Sequence, residues 1–151
     1  MGNREENLKK ALKLLTQKTQ LIVLSSTYDT APMYNENQPR FLNMVCRIST
    51  TLGPSKLLTF VKSIESKLGR LPNSHNLPCT IDIDILFYGN RVINTPELTI
   101  PHLLLHERVF VLVPLVEIAP ELVHPIKKLK IGELLKLIDK KGVILSKKLE
   151  V

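Results

Sequence analysis

The chain has 151 residues, of which 44% are hydrophobic and 23% charged, the composition of an ordinary globular domain with enough residues for a proper core. Its formal net charge is +7, and residues 126–151 supply +5 of it through eight lysines against three acids. Two cysteines without metal-ligand spacing argue against a disulfide framework or a zinc site, and no apolar run is long enough to span a membrane. We therefore expect a single cytoplasmic domain over residues 1–151 that binds neither membranes nor nucleic acid.

The N-terminal half predicts a helix, a strand, a long loop, a second strand and a second helix. Apolar residues recur at helical spacing in two segments, first at Leu8, Ala11, Leu12 and Leu15, and then at Leu57, Val61, Ile64 and Leu68. Residues 21–26 and 41–50 have the character of strands, and residues 28–39 that of a loop broken by prolines. Phe41 and Asn43 share one strand face, where they would bind a flat heterocycle or simply pack across the sheet.

The C-terminal half predicts a strand, a turn, a helical region and a last helix. Residues 80–88 alternate, Gly89-Asn90 is a hairpin signal, and residues 108–119 read as helical, with Pro114 marking a start or a kink. Residues 131–140 predict the last helix, within a basic C-terminal helix assigned to residues 126–151. We interpret its lysines as a solvated face, since nucleic-acid binding has only composition in its favour. Helices and strands mix without βαβ regularity, which predicts an α+β fold.

The alternating segment contains two aspartates on one face. Ile81, Ile83 and Ile85 share a face of the predicted strand, which puts Asp82, Asp84 and Leu86 together on the other. The Cα atoms of the two aspartates are then roughly 6.6 to 7 Å apart, so that both carboxylates can reach one divalent cation such as Mg²⁺. The alternative from the pattern alone is an edge strand whose charges face solvent and discourage aggregation.

Several common catalytic motifs are absent from the sequence. It contains no Walker-type phosphate loop, Gly-x-Gly-x-x-Gly after a strand, Gly-x-Ser-x-Gly or His-Glu-x-x-His. A protein of this kind that handles nucleotide phosphates would therefore use the paired aspartates and scattered basic side chains. Positioning and charge neutralisation are most of what phosphoryl transfer requires.

A set of short segments, taken together, resembles one family. They are Tyr28-Asp29-Thr30-Ala31-Pro32-Met33, Gln38-Pro39-Arg40-Phe41-Leu42-Asn43, Glu65 with Gly69-Arg70, Thr80-Ile81-Asp82-Ile83-Asp84-Ile85-Leu86, Leu98-Thr99-Ile100-Pro101-His102, His106-Glu107-Arg108-Val109-Phe110-Val111-Leu112 and Pro114-Leu115-Val116-Glu117-Ile118-Ala119-Pro120. Their order and approximate spacing, over residues 2–125, resemble those of the 6-hydroxymethyl-7,8-dihydropterin pyrophosphokinases. That family transfers pyrophosphate from ATP to a pterin alcohol in folate biosynthesis.

The resemblance implies a fold and a set of site residues. The fold is a ferredoxin-like three-layer α/β/α sandwich with a mostly antiparallel central sheet, in a monomer that binds small molecules. Asp82 and Asp84 would hold Mg²⁺, and Arg70 would reach the phosphates. The ATP side would use Lys62, Glu65, Thr99, His102 and Arg108. The pterin would lie near Thr30, Pro32, Met33, Phe41, Asn43 and Phe110.

The sequence departs from the family pattern in two places. Cys79 stands where the family has an arginine, and a thiol cannot hold phosphate oxygens in a bidentate fork. The opening strand and its Gly-Ser-Asn turn precede the position of Met1, so we expect the first strand to be missing and the true start codon to lie upstream. The leading hypothesis is an enzyme of reduced activity. The alternative is a degenerate homologue that binds pterin or nucleotide without turnover.

Overall fold

The secondary structure is a mixture of helices and short antiparallel strands, as the α+β prediction requires. The computed structural model describes residues 4–30, 41–69, 81–138 and 143–147. In chain order the elements are α1 (Arg4–Leu15), β1 (Gln20–Leu24), β2 (Thr27–Thr30), β3 (Phe41–Asn43), β4 (Cys46–Ser49), α2 (Pro54–Lys67), β5 (Ile93–Asn94), β6 (Thr99–Ile100), a 3₁₀ turn (Leu105–Glu107), α3 (Val109–Ile118), α4 (Ile131–Lys136) and β7 (Val143–Lys147). Strands β1 and β4 form a two-stranded sheet.

One compact unit contains residues 4–22, 48–69 and 81–84 of the described chain. Its two helices, α1 and α2, pack against each other. The buried apolar side chains are Ala11, Leu12 and Leu15 of α1 and Leu57, Phe60, Val61 and Ile64 of α2. Most of the two predicted apolar stripes is thus buried, and each fully buried side chain of this kind contributes roughly 1.5–3 kcal/mol. Helix α2 begins at Pro54, where a missing N–H costs nothing.

The second compact unit contains residues 23–30, 41–47, 85–138 and 143–147. Its main sheet has the strand order β3–β2–β7, with both pairings antiparallel. Helix α3 lies against this sheet and against α4. Among the described residues of this unit, the main buried cluster consists of Leu105, Leu112, Leu115, Ile131, Leu134 and Leu135. Because α3 is apolar on all sides, it is covered by the sheet, by α4 and by the preceding turn.

The C-terminal segment corrects one prediction. The helix expected over residues 131–140, within a basic helix over 126–151, ends at Lys136. Val143–Lys147 instead forms β7, which pairs antiparallel with β2. Val143 and Ile144 are β-branched and suit a strand. The prediction extended the helix too far, because it followed the spacing of the lysines beyond Lys136 and into a run with strand propensity.

Three other predictions needed adjustment in the described residues. Part of the expected loop over residues 28–39 is strand β2, which ends at Thr30. The strand expected over residues 41–50 is two strands, β3 and β4, separated by Met44 and Val45. Helix α3 begins at Val109, so Pro114 does not mark its start and lies buried within it. The local pattern located these elements but did not determine where each one begins or ends.

The predicted turn at Gly89-Asn90 is confirmed, although it joins different partners from those expected. Arg91 N–H donates to the Tyr88 carbonyl at 3.1 Å, and Gly89 has φ 59°, a conformation that glycine adopts without strain. The strand that follows, β5, pairs with β6 rather than with the alternating segment predicted over residues 80–88, which contains Asp82 and Asp84 and is called the aspartate segment below.

His124 is a buried polar residue of the second unit, with only 4% of its surface exposed. Its Nδ1 accepts hydrogen bonds from the amides of Ile126 at 3.2 Å and Lys127 at 3.1 Å. The ring also meets Phe87 edge-on. Burial, with help from the charges of His106 and Lys127, lowers the pKa of His124. His124 is therefore a neutral structural residue near neutral pH.

The helices of the described chain are all too short or too polar to cross a membrane.

Candidate active site

The aspartate segment presents its two carboxylates to solvent. Asp82 and Asp84 are exposed, whereas Ile81, Ile83 and Ile85 are half-buried, so the predicted alternation is confirmed over residues 81–85. Leu86, predicted on the aspartate face, is instead half-buried and packs against the core of the second unit. The predicted strand is not confirmed: residues 81–87 belong to no strand of the described structure. At Ile83 the backbone amide has a side-chain acceptor, the Glu65 carboxylate.

Glu65 and Lys62 of helix α2 lie beside this segment. The Glu65 side chain is 2% exposed, and its Oε2 accepts a hydrogen bond from the Ile83 amide at 2.6 Å. Its Oε1 is 3.4 Å from Nζ of Lys62, whose side chain is 58% exposed. The spacing of three residues puts both on one face of α2. The structure therefore brings together four predicted site residues: Lys62, Glu65, Asp82 and Asp84.

The donor set of this site suits a hard cation. Two carboxylates two residues apart offer oxygen ligands, which Mg²⁺ prefers, and their exposure leaves room for water and phosphate oxygens. Within the described ranges no group of three or more His, Cys, Asp or Glu side chains converges on a common point. The pair would thus supply part of a coordination shell, as is usual for Mg²⁺ held between a protein and a nucleotide.

The predicted pterin residues fall partly on the sheet of the second unit. Thr30 at the end of β2 is the register partner of Phe41, and Tyr28 is the partner of Asn43. Antiparallel pairing therefore places three predicted residues, Thr30, Phe41 and Asn43, at neighbouring positions of one sheet. Pro32 and Met33 lie outside the described residues.

Arg108 and Phe110 stand together at the start of α3. The Arg108 guanidinium lies 5.7 Å from the centre of the Phe110 ring, within range of a cation–π contact. Arg108 also caps the helix, since its carbonyl accepts the amides of Val111 at 2.9 Å and Leu112 at 3.0 Å. A predicted ATP residue and a predicted pterin residue are thus adjacent at the N-terminal end of α3.

Thr99 and His102 lie on or just after β6. Thr99 pairs with Asn94 in the β5–β6 hairpin, and the His102 amide donates to the Leu86 carbonyl at 3.0 Å. This bond ties the end of the hairpin to Leu86, two residues after Asp84. Arg70 and Cys79 are outside the described residues. The phosphate contact expected of Arg70 therefore stays a prediction, as does the effect of Cys79 in place of the family arginine.

Sequence reasoning missed Glu117 as a residue with a specific role. Its Oε1 accepts the Ser26 amide at 2.9 Å and the Tyr28 hydroxyl at 2.7 Å, and its Oε2 accepts the Ser26 hydroxyl at 2.9 Å. Burial, the hydrogen bond and the negative charge of Glu117 raise the pKa of Tyr28 to about 12. Glu117 thereby fixes the start of β2, the strand that carries Thr30. The signal was present, because Glu117 is the one charged residue of α3.

Comparison with known proteins gives one consistent result. The family model for 7,8-dihydro-6-hydroxymethylpterin-pyrophosphokinase (HPPK) matches residues 1–120. The chain is 41% identical over 125 residues to "Folic acid synthesis protein FOL1" of Dictyostelium discoideum, covering 83% of this chain and 19% of that protein. Over 145 residues it is 41% identical to "Folic acid synthesis protein fol1" of Schizosaccharomyces pombe, covering 95% and 20%.

A bacterial relative is of more similar length. The chain is 44% identical over 122 residues to the "2-amino-4-hydroxy-6-hydroxymethyldihydropteridine pyrophosphokinase" of Haemophilus influenzae, covering 80% of this chain and 76% of that protein. The chain thus spans only about a fifth of the length of the two eukaryotic relatives.

Proposed function

The chain belongs to the 7,8-dihydro-6-hydroxymethylpterin-pyrophosphokinase family, and we propose on that premise that it transfers pyrophosphate from ATP to 6-hydroxymethyl-7,8-dihydropterin, releasing AMP, in folate biosynthesis. The family match covers residues 1–120, a range that contains every site residue predicted from the sequence. The observation that carries the proposal is the pair of exposed carboxylates, Asp82 and Asp84, on a segment held from behind by a buried Glu65.

The proposed reaction forms one bond to phosphorus and breaks another. The pterin hydroxyl oxygen bonds to the β-phosphorus of ATP, the bond from that phosphorus to the α,β-bridging oxygen breaks, and AMP departs with the electron pair. The hydroxyl proton passes to solvent, since no side chain of the predicted set is an obvious general base. Most of the rate acceleration then comes from alignment and charge neutralisation.

Asp82 and Asp84 are the residues proposed to hold Mg²⁺. When bound there, Mg²⁺ would neutralise charge on the phosphate oxygens. The exposed pair satisfies this role because neither carboxylate is committed to the core, whereas Glu65 is buried behind them. Two like charges so close together also gain from a shared cation, which relieves their repulsion.

The remaining residues are assigned to the two substrates. We assign ATP to Lys62, Glu65, Thr99, His102, Arg108 and Arg70, and the pterin to Thr30, Pro32, Met33, Phe41, Asn43 and Phe110. The register of β2 and β3 supports the pterin assignment, because it places Phe41 and Asn43 two positions apart on the strand that pairs with Thr30. Arg108 is assigned to ATP and Phe110 to the pterin. The contact between these two side chains supports binding of the two substrates next to each other at the start of α3.

Three finer expectations belong to the same proposal. Residues 1–151 form one domain with the ferredoxin-like three-layer sandwich, the protein is a cytoplasmic monomer, and its partners are small molecules. The antiparallel order β3–β2–β7 with α3 against it supports the sandwich, since a helix layer on an antiparallel sheet is its basic unit.

The test is a direct assay for AMP. Purified protein is mixed with ATP, Mg²⁺ and 6-hydroxymethyl-7,8-dihydropterin, and AMP is separated by chromatography. We expect Mg²⁺-dependent AMP formation that Asp82→Asn and Asp84→Asn each reduce by about 10²–10³-fold, the usual effect of removing one electrostatic contact in such a site. Glu97→Gln, an exposed acid in the loop between β5 and β6, is the matched control and should keep full activity.

Two results would overturn the assignment. A wild-type protein that binds ATP and the pterin but forms no AMP refutes the enzyme and leaves the non-catalytic homologue, in which Cys79 replaces the family arginine. Variants of Asp82 and Asp84 that stay fully active refute the metal site alone.

A further inference from the structure

Helix α2 buries one glutamate, Glu65, on a side of the helix that is otherwise apolar. Glu65 is 2% exposed, although its neighbours Leu57, Phe60, Val61 and Ile64 on the same buried side of the helix are all apolar. Withdrawing a carboxylate from water is costly unless hydrogen bonds or an opposite charge compensate. The compensation that the structure shows therefore indicates what Glu65 does.

The compensation includes a backbone amide and a lysine of the described chain. Oε2 accepts the Ile83 amide at 2.6 Å, the short distance expected of a hydrogen bond to a charged acceptor. Oε1 lies 3.4 Å from Nζ of Lys62, one turn earlier on the same helix. Because α2 is fourteen residues long and buried along this side, it presents the carboxylate from a rigid support.

The amide that Glu65 binds belongs to the residue between the two aspartates. In a strand this N–H would donate to the carbonyl of a neighbouring strand, but residues 81–87 lie outside every strand of the described chain. The Glu65 carboxylate takes the place of that carbonyl. With the amide of Ile83 fixed and its side chain half-buried, Asp82 and Asp84 are both directed to the opposite, exposed side.

We propose that Glu65 is a positioning residue for the metal site, which holds Asp82 and Asp84 in the spacing that a divalent cation requires. This inference rests on the proposed function and changes the role assigned to Glu65 there, from a contact with ATP to a support for the aspartate pair. A carboxylate that already holds a backbone amide and lies beside Lys62 is poorly placed to leave both for a nucleotide. Residues that orient metal ligands in this way typically change metal affinity or activity by 10–100-fold when they are replaced.

The test measures metal binding separately from turnover. Mn²⁺ prefers the same octahedral oxygen ligands as Mg²⁺ and is followed by electron paramagnetic resonance of the free ion. Titrations use the full chain with α,β-methylene-ATP, which cannot be cleaved at the reacting bond. We expect Glu65→Ala to weaken Mn²⁺ binding by about 10–100-fold. Glu65→Gln keeps an oxygen that can accept the Ile83 amide, so it should recover a large part of that loss.

The matched control separates positioning from loss of stability. Phe60→Leu removes volume from the same buried side of α2 without touching the Ile83 amide, and should leave Mn²⁺ affinity within about twofold of wild type. If Glu65→Ala does not fold, Glu65→Gln carries the test. The expected signature is then a several-fold weaker Mn²⁺ affinity and a lower kcat, with KM for ATP nearly unchanged.

Each outcome decides the proposal. Wild-type Mn²⁺ affinity in a folded Glu65→Ala protein overturns it, as does a wild-type chain that binds no Mn²⁺. Where Glu65→Ala does not fold, wild-type Mn²⁺ affinity together with wild-type kcat in Glu65→Gln overturns it. A variant that raises KM for ATP and leaves Mn²⁺ affinity and kcat unaltered identifies Glu65 as an ATP contact instead. If wild type forms no AMP but Glu65→Ala still weakens Mn²⁺ binding, the proposed reaction fails and the positioning role stands.

Discussion

The hydrogen bond from Tyr28 to Glu117 allows a quantitative test of how the second unit holds strand β2. Tyr28→Phe removes the hydroxyl that donates to Glu117 Oε1 at 2.7 Å and changes little else. The carboxylate keeps both donors from Ser26, each at 2.9 Å, so no buried group loses its last partner. The variant therefore reports on a single charge-assisted hydrogen bond.

The size of the effect follows from the pKa of Tyr28. Its rise from 10.0 to about 12 corresponds to about 2.7 kcal/mol between the neutral and ionised forms, and burial of Tyr28 is the largest cause, ahead of the hydrogen bond to Glu117 and the Glu117 charge. Glu117 is exposed, so solvent screens the pair, and we expect a net contribution of about 1 kcal/mol. Because the folded pKa is raised, this stabilisation is fully present below pH 10 and is lost as the pH rises from 10 through 12.

The assay is urea unfolding followed by circular dichroism at pH 7.5 and near pH 11. Wild type, Tyr28→Phe, Glu117→Gln and the double variant form a cycle that isolates the coupling between the two side chains. Wild type should be more stable than Tyr28→Phe by about 1 kcal/mol at pH 7.5, and the difference should shrink near pH 11. Lysine titration is common to both proteins and cancels. A coupling energy of zero, or a difference that grows with pH, would refute the reasoning.

Two further predictions use the same unfolding measurement. Because the pKa of His124 is lowered in the folded state, its contribution to stability is fully present above the ordinary value of 6.5 and is lost as the pH falls through the folded value. His124→Phe should therefore reduce the dependence of the unfolding free energy on pH below 6.5. An unchanged pH dependence would contradict this. Leu112→Ala, at a fully buried position, should cost about 3–4 kcal/mol, whereas Leu137→Ala, which is 72% exposed, should cost less than about 0.5. Equal losses of unfolding free energy for the two variants would contradict the assignment of Leu112 to the core and of Leu137 to the surface.

Local patterns in the sequence predicted the helices and the faces of the aspartate segment. The apolar stripes of α1 and α2 follow the 3.6-residue period of a helix, and the isoleucines around Asp82 and Asp84 follow the period of extended chain. Both are short-range features, so they can be read without knowing the fold. The same locality explains the error at the C-terminus, where the lysine spacing continued the helix pattern into β7.

Family motifs in the sequence predicted the chemistry, since the segments around Asp82 and Asp84 and from Leu98 to Pro120 resemble the pyrophosphokinases and the match over residues 1–120 shows that family. Periodicity alone left the aspartate pair open between a metal site and a solvated edge. The resemblance of the neighbouring segments to the family favours the metal site, which stays a prediction until metal binding is measured.

Only the tertiary structure decided which side chains support these motifs. Glu65 reaches the Ile83 amide across 18 residues of sequence, and Glu117 reaches Ser26 across 91. Neither contact has a period or a local spacing that marks it, because a hydrogen bond between distant segments depends on how helices and strands pack. The sequence by itself determined which residues carry the proposed chemistry, and packing determined what holds them in place.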